Sequence, residues 1–293
     1  ANYKEIMEGR GTKNGGVFLD ISHKSKEYIL KKLPTIYKQF IDHQNLDISE
    51  SPMEVAPTAH YSMGGILVDP YDLSSEIKGL YAAGEVAGGL HGANRLGGNS
   101  LAEILIFGKR AGFASANYAR SINKKTRSIE IIDLAHENIN GFIKDGNQSA
   151  LELQNELRLI MWKYCGVIKN KNLLMRGIEE IKILKNKAKD VQVRISKKNC
   201  EDLVFMYDLQ SSLISAEATI VSSLERNESR GAHQRSDFLE TKSSCEYNYC
   251  VRYVDLNQKI QVSKLPLKKL NNELRILVEN AIKEEDISNK LLE

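Results

Sequence analysis

Two hydrophobic periods run along this chain, and the change between them divides it. Val17-Phe18-Leu19-Asp20-Ile21 is a short apolar-rich run that suits a strand. From Glu27 to Phe40 the apolar positions Tyr28, Leu30, Leu33, Ile36, Tyr37 and Phe40 form the stripe of an amphipathic helix, interrupted by Pro34. Gly65-Ile66-Leu67-Val68, followed by Asp69-Pro70-Tyr71-Asp72, predicts a hairpin arm and its turn. Between Gly79 and Gly84 the run Leu80-Tyr81-Ala82-Ala83 reads as a buried strand, with Glu85 at its carboxyl end. After a glycine-rich loop, Leu101, Ile104, Leu105, Gly108, Ala111, Gly112 and Ser115 recur at helical spacing. Ser100 with Glu103 three residues on has the form of a capping box, which puts the helix start there.

Past Ser121–Ser128 (SINKKTRS), a basic, breaker-rich candidate boundary, the helical period takes over. Leu153, Leu157, Ile160, Met161 and Tyr164 mark one segment, Leu174, Ile178, Ile181 and Leu184 a second, Leu209, Leu213, Ala216 and Ile220 a third. Steps of three and four give each helix one buried face, hence a small bundle. The lysines between them, Lys182, Lys185, Lys187 and Lys189, read as a solvated face. Cys245 to Lys269 predicts a two-stranded β segment, and a terminal helix begins at Asn271.

Composition narrows the class without adding chemistry. With 293 residues, 42% hydrophobic and 27% charged, the chain is long enough for one large or two small domains. Its 41 basic and 38 acidic residues leave a net charge of +3, a mixed-sign surface that gives no reason to invoke nucleic acid. Apolar runs are a handful of residues, well short of a membrane span. The four cysteines, Cys165, Cys200, Cys245 and Cys250, make no CxxC pair, so no zinc or iron–sulfur ligand set is expected and a cytoplasmic setting with free thiols is.

The candidate chemistry lies between Pro57 and Tyr118. Gly88 to Gly98 is too glycine-rich for a regular element and lets backbone approach a ligand closely. The helix that follows turns its free N–H groups and positive dipole end into this loop, a nest for an electron-rich group. The bland alternative is a tight turn packing a helix on a sheet. Arg95 inside the loop and His60 in HYSMGG raise the other reading: an arginine fork holds a carboxylate by two parallel hydrogen bonds, and a histidine adds a third donor. His60 alone, beside Tyr61 and Met63, reads as an ordinary core histidine. Glu228–Phe238 (ESRGAHQRSDF) is dense in charge and reads first as a salt-bridge network locking domains together.

HYSMGGI, GLYAAGEVAGG, HGANRLGGNSL and ESRGAHQRSDF, in that order, resemble the flavoprotein subunit of succinate dehydrogenase and fumarate reductase. The similarity runs from Glu5 to about Phe238 and matches the carboxyl-terminal half of a family member. The resemblance implies that His60 and Arg95 are catalytic and hold the carboxylates of succinate or fumarate. It also implies that Glu85 binds the ribityl–ribose side of FAD, and that Ser100 and Leu101 offer backbone N–H groups to the flavin's pyrimidine edge. Implied partners are an iron–sulfur subunit, the amino-terminal half of the flavoprotein, and a membrane anchor subunit that would bring the protein to the cytoplasmic face of the membrane. The amino-terminal half carries the GxGxxG turn, found nowhere in this sequence, and a proton-shuttling arginine that by spacing would precede Ala1, so the chain reads as a piece of a longer protein. L-aspartate oxidase, whose loop usually carries an ANRLAS-type core where this chain has ANRLGG, ranks second. A non-catalytic remnant that binds a partner is the third reading.

The expected fold is α/β, a partial FAD-binding domain with the end of a capping domain, followed by an α-helical bundle and a small α+β carboxyl-terminal segment. The expected division is 1–55 for the end of the capping domain, 56–120 for the FAD-binding part, 129–228 for the bundle and 229–293 for the last segment. Alone, such a chain is expected to expose the apolar faces of the Pro57–Tyr118 elements and to lack FAD and succinate turnover.

Overall fold

A computed structural model describes residues 1–123, 128–196, 200–254, 260–267 and 269–290. Most of the predicted helices are present, and the strands are short. Helix α1 (Asn2–Met7) opens the chain and is followed by β1 (Val17–Leu19), the start of the predicted run. The amphipathic stripe that Pro34 interrupts is two helices, α2 (Lys26–Lys32) and α3 (Pro34–Gln44). Pro34 takes the first turn of α3, where its missing N–H has no intrahelical partner to lose. β2 (Met53–Val55) pairs antiparallel with β1, Val17 opposite Val55. Ile29, Ile48 and Met53 form a small core beneath this unit, with Tyr37 and Phe40 packed on it.

Helix α4 (Asn99–Ser121) follows the glycine loop, and α5 (Ile129–Phe142) follows it. Along α5 the positions Ile132, Ala135, Ile139 and Phe142 recur at three and four, a helical stripe that was not among the three segments singled out above. Residues 124–127 of the expected SINKKTRS boundary lie outside the described residues.

Three helices carry the main core: α6 (Ala150–Cys165), α7 (Lys171–Ala188) and α8 (Glu201–Glu225). Each predicted apolar stripe faces inward, and Leu174, Leu184, Leu209 and Ile220 are wholly buried. Ser149 caps α6 and Asn170 caps α7 through their side chains, which satisfies N–H groups the helices leave free. Val191 and Val193 complete the core on a segment that pairs with Lys144 and Gln148. The lysine face is less solvated than the charge pattern suggests. Lys187 pairs with Glu156 on α6 at 2.7 Å, and Lys185 pairs with Glu217 on α8.

Two-residue strands β3 (Ile168–Lys169) and β4 (Gln234–Arg235) pair in parallel and tie the bundle to the charged segment Glu228–Phe238. Residues 240–293 form a separate compact unit. It holds β5 (Tyr247–Tyr253) and β6 (Ile260–Pro266), paired antiparallel in the predicted two-stranded segment, and α9 (Asn272–Lys290). The residues joining the two strands, 255–259, lie outside the described residues. The chain is thus mixed, helical with small sheets. Three two-stranded sheets are present among the described residues, and the run at Leu80–Ala83 belongs to none of them. Tyr81 makes an isolated antiparallel bridge to Ser74, because no longer ladder lies alongside among the described residues.

Candidate dicarboxylate and flavin site

The HYSMGGI segment is zipped to GEVAGG by backbone hydrogen bonds. Ile66 N–H donates to Val86 O at 2.8 Å and Gly88 N–H to Ile66 O at 3.0 Å. A Cβ at Gly65 would sit 2.3 Å from the Val86 carbonyl oxygen, so only glycine permits this approach. The same pairing brings Glu85 to His60's neighbours: the Glu85 carboxylate accepts from Ser62 N–H at 2.8 Å, leaving its second oxygen free of that bond. His60 itself is exposed, which removes the ordinary reading as a core histidine.

Arg95 lies over the ring of Tyr61, with its guanidinium carbon 4.6 Å from the ring centroid. Arg95 Nη1 donates to the Leu96 carbonyl at 3.2 Å, while Nε is buried and has no partner among the described residues. A buried N–H with nothing to donate to is costly, of order 1–3 kcal/mol, and marks a place where an acceptor is wanted. Arg95 and Glu85 thus each contact one of the two residues that follow His60 in the chain, Tyr61 and Ser62.

Helix α4 departs from the expected capping box. Gly98, at φ +84°, is the residue before the helix, and no side chain caps the first turn. Glu103 is 4% exposed and points inward instead. Its Oε2 accepts from the Tyr61 hydroxyl at 2.6 Å and from His91 Nε2 at 2.8 Å. With Gly98 before the helix, Glu103 stands five residues on, past the third position from which a capping glutamate reaches back, and its Oε2 faces Tyr61 and His91 instead. Ser100 and Leu101 thus stand on an uncapped first turn, with Leu101 N–H making only a long bond to Gly98 O at 3.3 Å. Open space lies where side chains would be at Gly89, Gly92, Gly97 and Gly98. The free N–H end, the open glycine loop and the orphaned Arg95 Nε together fit a planar, oxygen-rich group and a carboxylate, as FAD and a dicarboxylate would present.

Further along, α4 is anchored by Arg110, whose Nη2 donates to Tyr71 O at 2.5 Å, and by the Tyr118 ring against Gly79. From the other side the charged segment seats the glycine loop. Ala232 N–H donates to Ala93 O at 2.9 Å, and Gly231, at φ +55°, packs on the same carbonyl. Behind that contact Arg235, 1% exposed, bonds Asp237 at 2.7 and 2.8 Å and the carbonyls of Ser223 and Arg226. Arg226 and Arg230 both pair with the fully buried Glu228. The network reading of Glu228–Phe238 describes these contacts.

Sequence patterning missed Tyr61, His91, Glu103 and Gly231 as neighbours of the site. Glu103 had a signal, since a carboxylate two positions past Leu101 and just before Ile104 falls beside the apolar stripe rather than opposite it. Gly231 had none, because its contact is made across 138 positions of chain (231 − 93).

The family model for the FAD binding domain matches residues 1–101, and that for the fumarate reductase flavoprotein C-term matches residues 154–275. One chain of the fumarate reductase (CoM/CoB) of Methanothermobacter marburgensis is 41% identical over 262 residues, 89% of this chain and 46% of that protein. L-aspartate oxidase of Oryza sativa subsp. japonica is 35% identical over 271 residues, 90% of this chain and 41% of that protein. Among solved structures, Mycobacterium smegmatis Sdh1 in complex with UQ1 matches with a TM-score of 0.83 at 32% identity, covering 92% of this chain and 46% of that one. The chain spans about half the length of the curated relatives it matches.

Proposed function

This chain belongs to the flavoprotein family of fumarate reductases and succinate dehydrogenases, and from that premise we propose that it takes part in FAD-dependent interconversion of succinate and fumarate. The observation that carries the reading is Arg95, whose buried Nε lacks an acceptor beside an uncapped helix start. His60 and Arg95 hold the two carboxylates and stabilise the charge that develops on them as the carbon–carbon bond changes order. The arginine fork fixes one carboxylate at two points, which orients the reacting carbons. Glu85, with one carboxylate oxygen on Ser62 N–H, presents the other to the hydroxyls of the ribityl–ribose side of FAD. The backbone N–H groups of Ser100 and Leu101 face the electron-rich pyrimidine edge, where the helix dipole adds to them. When bound, FAD supplies the site that gives or takes the hydride.

The division into the end of a capping domain (1–55), part of an FAD-binding domain (56–120), a bundle (129–228) and a small last segment (229–293) belongs to the same reading. So do an iron–sulfur partner and a membrane anchor. Among the described residues no helix is long and apolar enough to cross a membrane.

The test uses the FAD-loaded protein as it occurs in the cell. Fumarate reduction by a reduced viologen and succinate oxidation with an artificial acceptor are expected, each lost in Arg95→Ala. Oxidation of L-aspartate with neither of those activities would replace this reading by the oxidase.

A further inference from the structure

Against Arg95 lies the Tyr61 ring, which with His91 and Glu103 makes a polar group that the proposed reaction does not use. Tyr61 donates its hydroxyl to Glu103 Oε2 at 2.6 Å, and His91 Nε2 lies 2.8 Å from the same oxygen and 3.3 Å from the hydroxyl. The Tyr61 and His91 rings meet edge to face, with centroids 5.4 Å apart. The side chains of His91 and Glu103 are 8% and 3% exposed.

We propose that Tyr61, His91 and Glu103 are positioning residues whose hydrogen bonds fix the tilt of the Tyr61 ring, which in turn sets the plane of the Arg95 guanidinium for dicarboxylate binding. The proposal rests on the reading of Arg95 as a carboxylate ligand. Three observations support it. Among the described residues Arg95 has little else to orient it: Nη1 bonds the neighbouring Leu96 carbonyl, and Nε has no partner. The ring face 4.6 Å from its guanidinium carbon is then the main restraint on its plane. The ring would rotate were its hydroxyl free, and Glu103 holds it. A carboxylate only accepts, so both Tyr61 and His91 must donate to Glu103, and this fixes which His91 nitrogen carries the proton. Finally, a buried carboxylate costs stability that a leucine at the same place on α4 would not. Glu103 offsets that cost by holding both donors, which sets its direction. Burial, and then the bond to Glu103, push the Tyr61 phenol up to about 12, so it remains a donor throughout the physiological range.

Tyr61 also directly follows His60, and Ser62 is held by Glu85.

The experiment measures the dissociation constant of malonate, a non-reacting dicarboxylate, by titration calorimetry on the FAD-loaded protein as it occurs in the cell. Melting temperature and FAD content are recorded for every variant. Tyr61→Phe keeps the ring and loses the pin, and should weaken malonate about threefold. Tyr61→Leu removes the platform and should weaken it about tenfold. Glu103→Gln retains one acceptor and should resemble Tyr61→Phe. The deciding comparison is Tyr61→Leu in the Arg95→Ala background, where it should add nothing, because Tyr61 acts through Arg95. If the two losses multiply, or if Tyr61 and Glu103 variants bind malonate as the parent does while Arg95→Ala does not, the positioning role is overturned and the carboxylate reading stands. If the parent binds no malonate, or Arg95→Ala binds it normally, the functional reading falls and this one falls with it.

Discussion

The three-helix bundle and the glycine loop with α4 solve opposite problems. In the bundle, α6, α7 and α8 turn their aliphatic stripes toward one another, and nine-tenths or more of each core side chain is out of solvent. Along α4 the sense is reversed. Leu101, Leu105 and Phe113 are 67%, 73% and 62% exposed, while the buried side chains on that helix are Glu103 and Ala111. Around the loop, polar groups are held by polar groups: Tyr61 by Glu103, Ser62 by Glu85, and Ala93 by Ala232. The lesson is one of division of labour. Apolar burial, at about 25 cal/mol per Å², stabilises the fold in the bundle. Directional bonds, each worth about 1 kcal/mol, set geometry in the loop.

The comparison breaks most sharply if one side is damaged alone. Leu209 is wholly buried at the bundle centre, and Leu209→Ala should cost about 4 kcal/mol of stability. Urea unfolding would read the loss as a lower midpoint with an unchanged slope. Malonate affinity of the folded fraction should stay within twofold. A fall in affinity matching the fall in stability would show that bundle and loop do not separate.

The converse change is Arg95→Lys. Lysine keeps the charge and loses the planar fork, so one contact point replaces two. Turnover should fall by on the order of a hundredfold, about 3 kcal/mol, with melting temperature and FAD content unchanged. Wild-type turnover in the variant would take Arg95 out of the site.

Gly231 tests the seam between the two regions. A Cβ there would lie 2.5 Å from the Ala93 carbonyl oxygen and 2.6 Å from its carbon, at a φ of +55° that side chains rarely adopt. Backbone cannot give way as a flexible side chain would. Gly231→Ala should therefore cost about 2 kcal/mol and shift the loop that carries Arg95, weakening malonate several-fold. Gly108, on α4, has open space where a Cβ would be, and Gly108→Ala should leave malonate binding alone. Equal effects of the two substitutions would deny the seam its role.

These contrasts also explain what could be read from the sequence. The bundle was legible because burial by a helix imposes a period, and Leu153, Leu157 and Ile160 repeat it. Pro34 was legible because its chemistry ends one helix and suits the start of another. Leu80–Ala83 looked like a strand, but strands exist only in ladders, and among the described residues its Tyr81 finds Ser74 alone. Glu103 shows the deeper limit. Spacing offered it Ser100 as a capping partner, whereas its actual partners, Tyr61 and His91, lie 42 and 12 positions away. A side chain with two competing sets of bonds takes the buried set, because an unsatisfied buried donor costs more than an uncapped helix end in water.

The smallest expected effect concerns acid stability, and it separates the charged seam from the uncharged bundle core. His233 is half-buried, and its ring Nε2 lies 3.2 Å from the Arg226 carbonyl, to which it donates. Burial first, and then the positive charges of Lys169, Arg235 and Arg226, push its pKa down to about 4, against the hydrogen bond to Arg226 O. In the unfolded chain it titrates near 6.5. Above that pH both states are neutral and the fold has its full stability. As pH falls below about 6.5 the unfolded chain binds a proton that the folded one refuses, so stability declines until about pH 4, where the folded protein binds it too. With the ring partly in water the loss is about 1–2 kcal/mol rather than the full linkage value. Asp237 acts in a lower window: the Arg235 guanidinium holds its carboxyl down to about 2, so its contribution, present above about pH 3.9, is lost as pH falls toward 2. Between pH 7 and 4.5 the parent's urea midpoint should therefore fall, while His233→Gln, which cannot take the proton, should be flatter over the same range. A parent curve as flat as the variant's would mean that His233 is wetter in solution than its burial beside Arg226 implies.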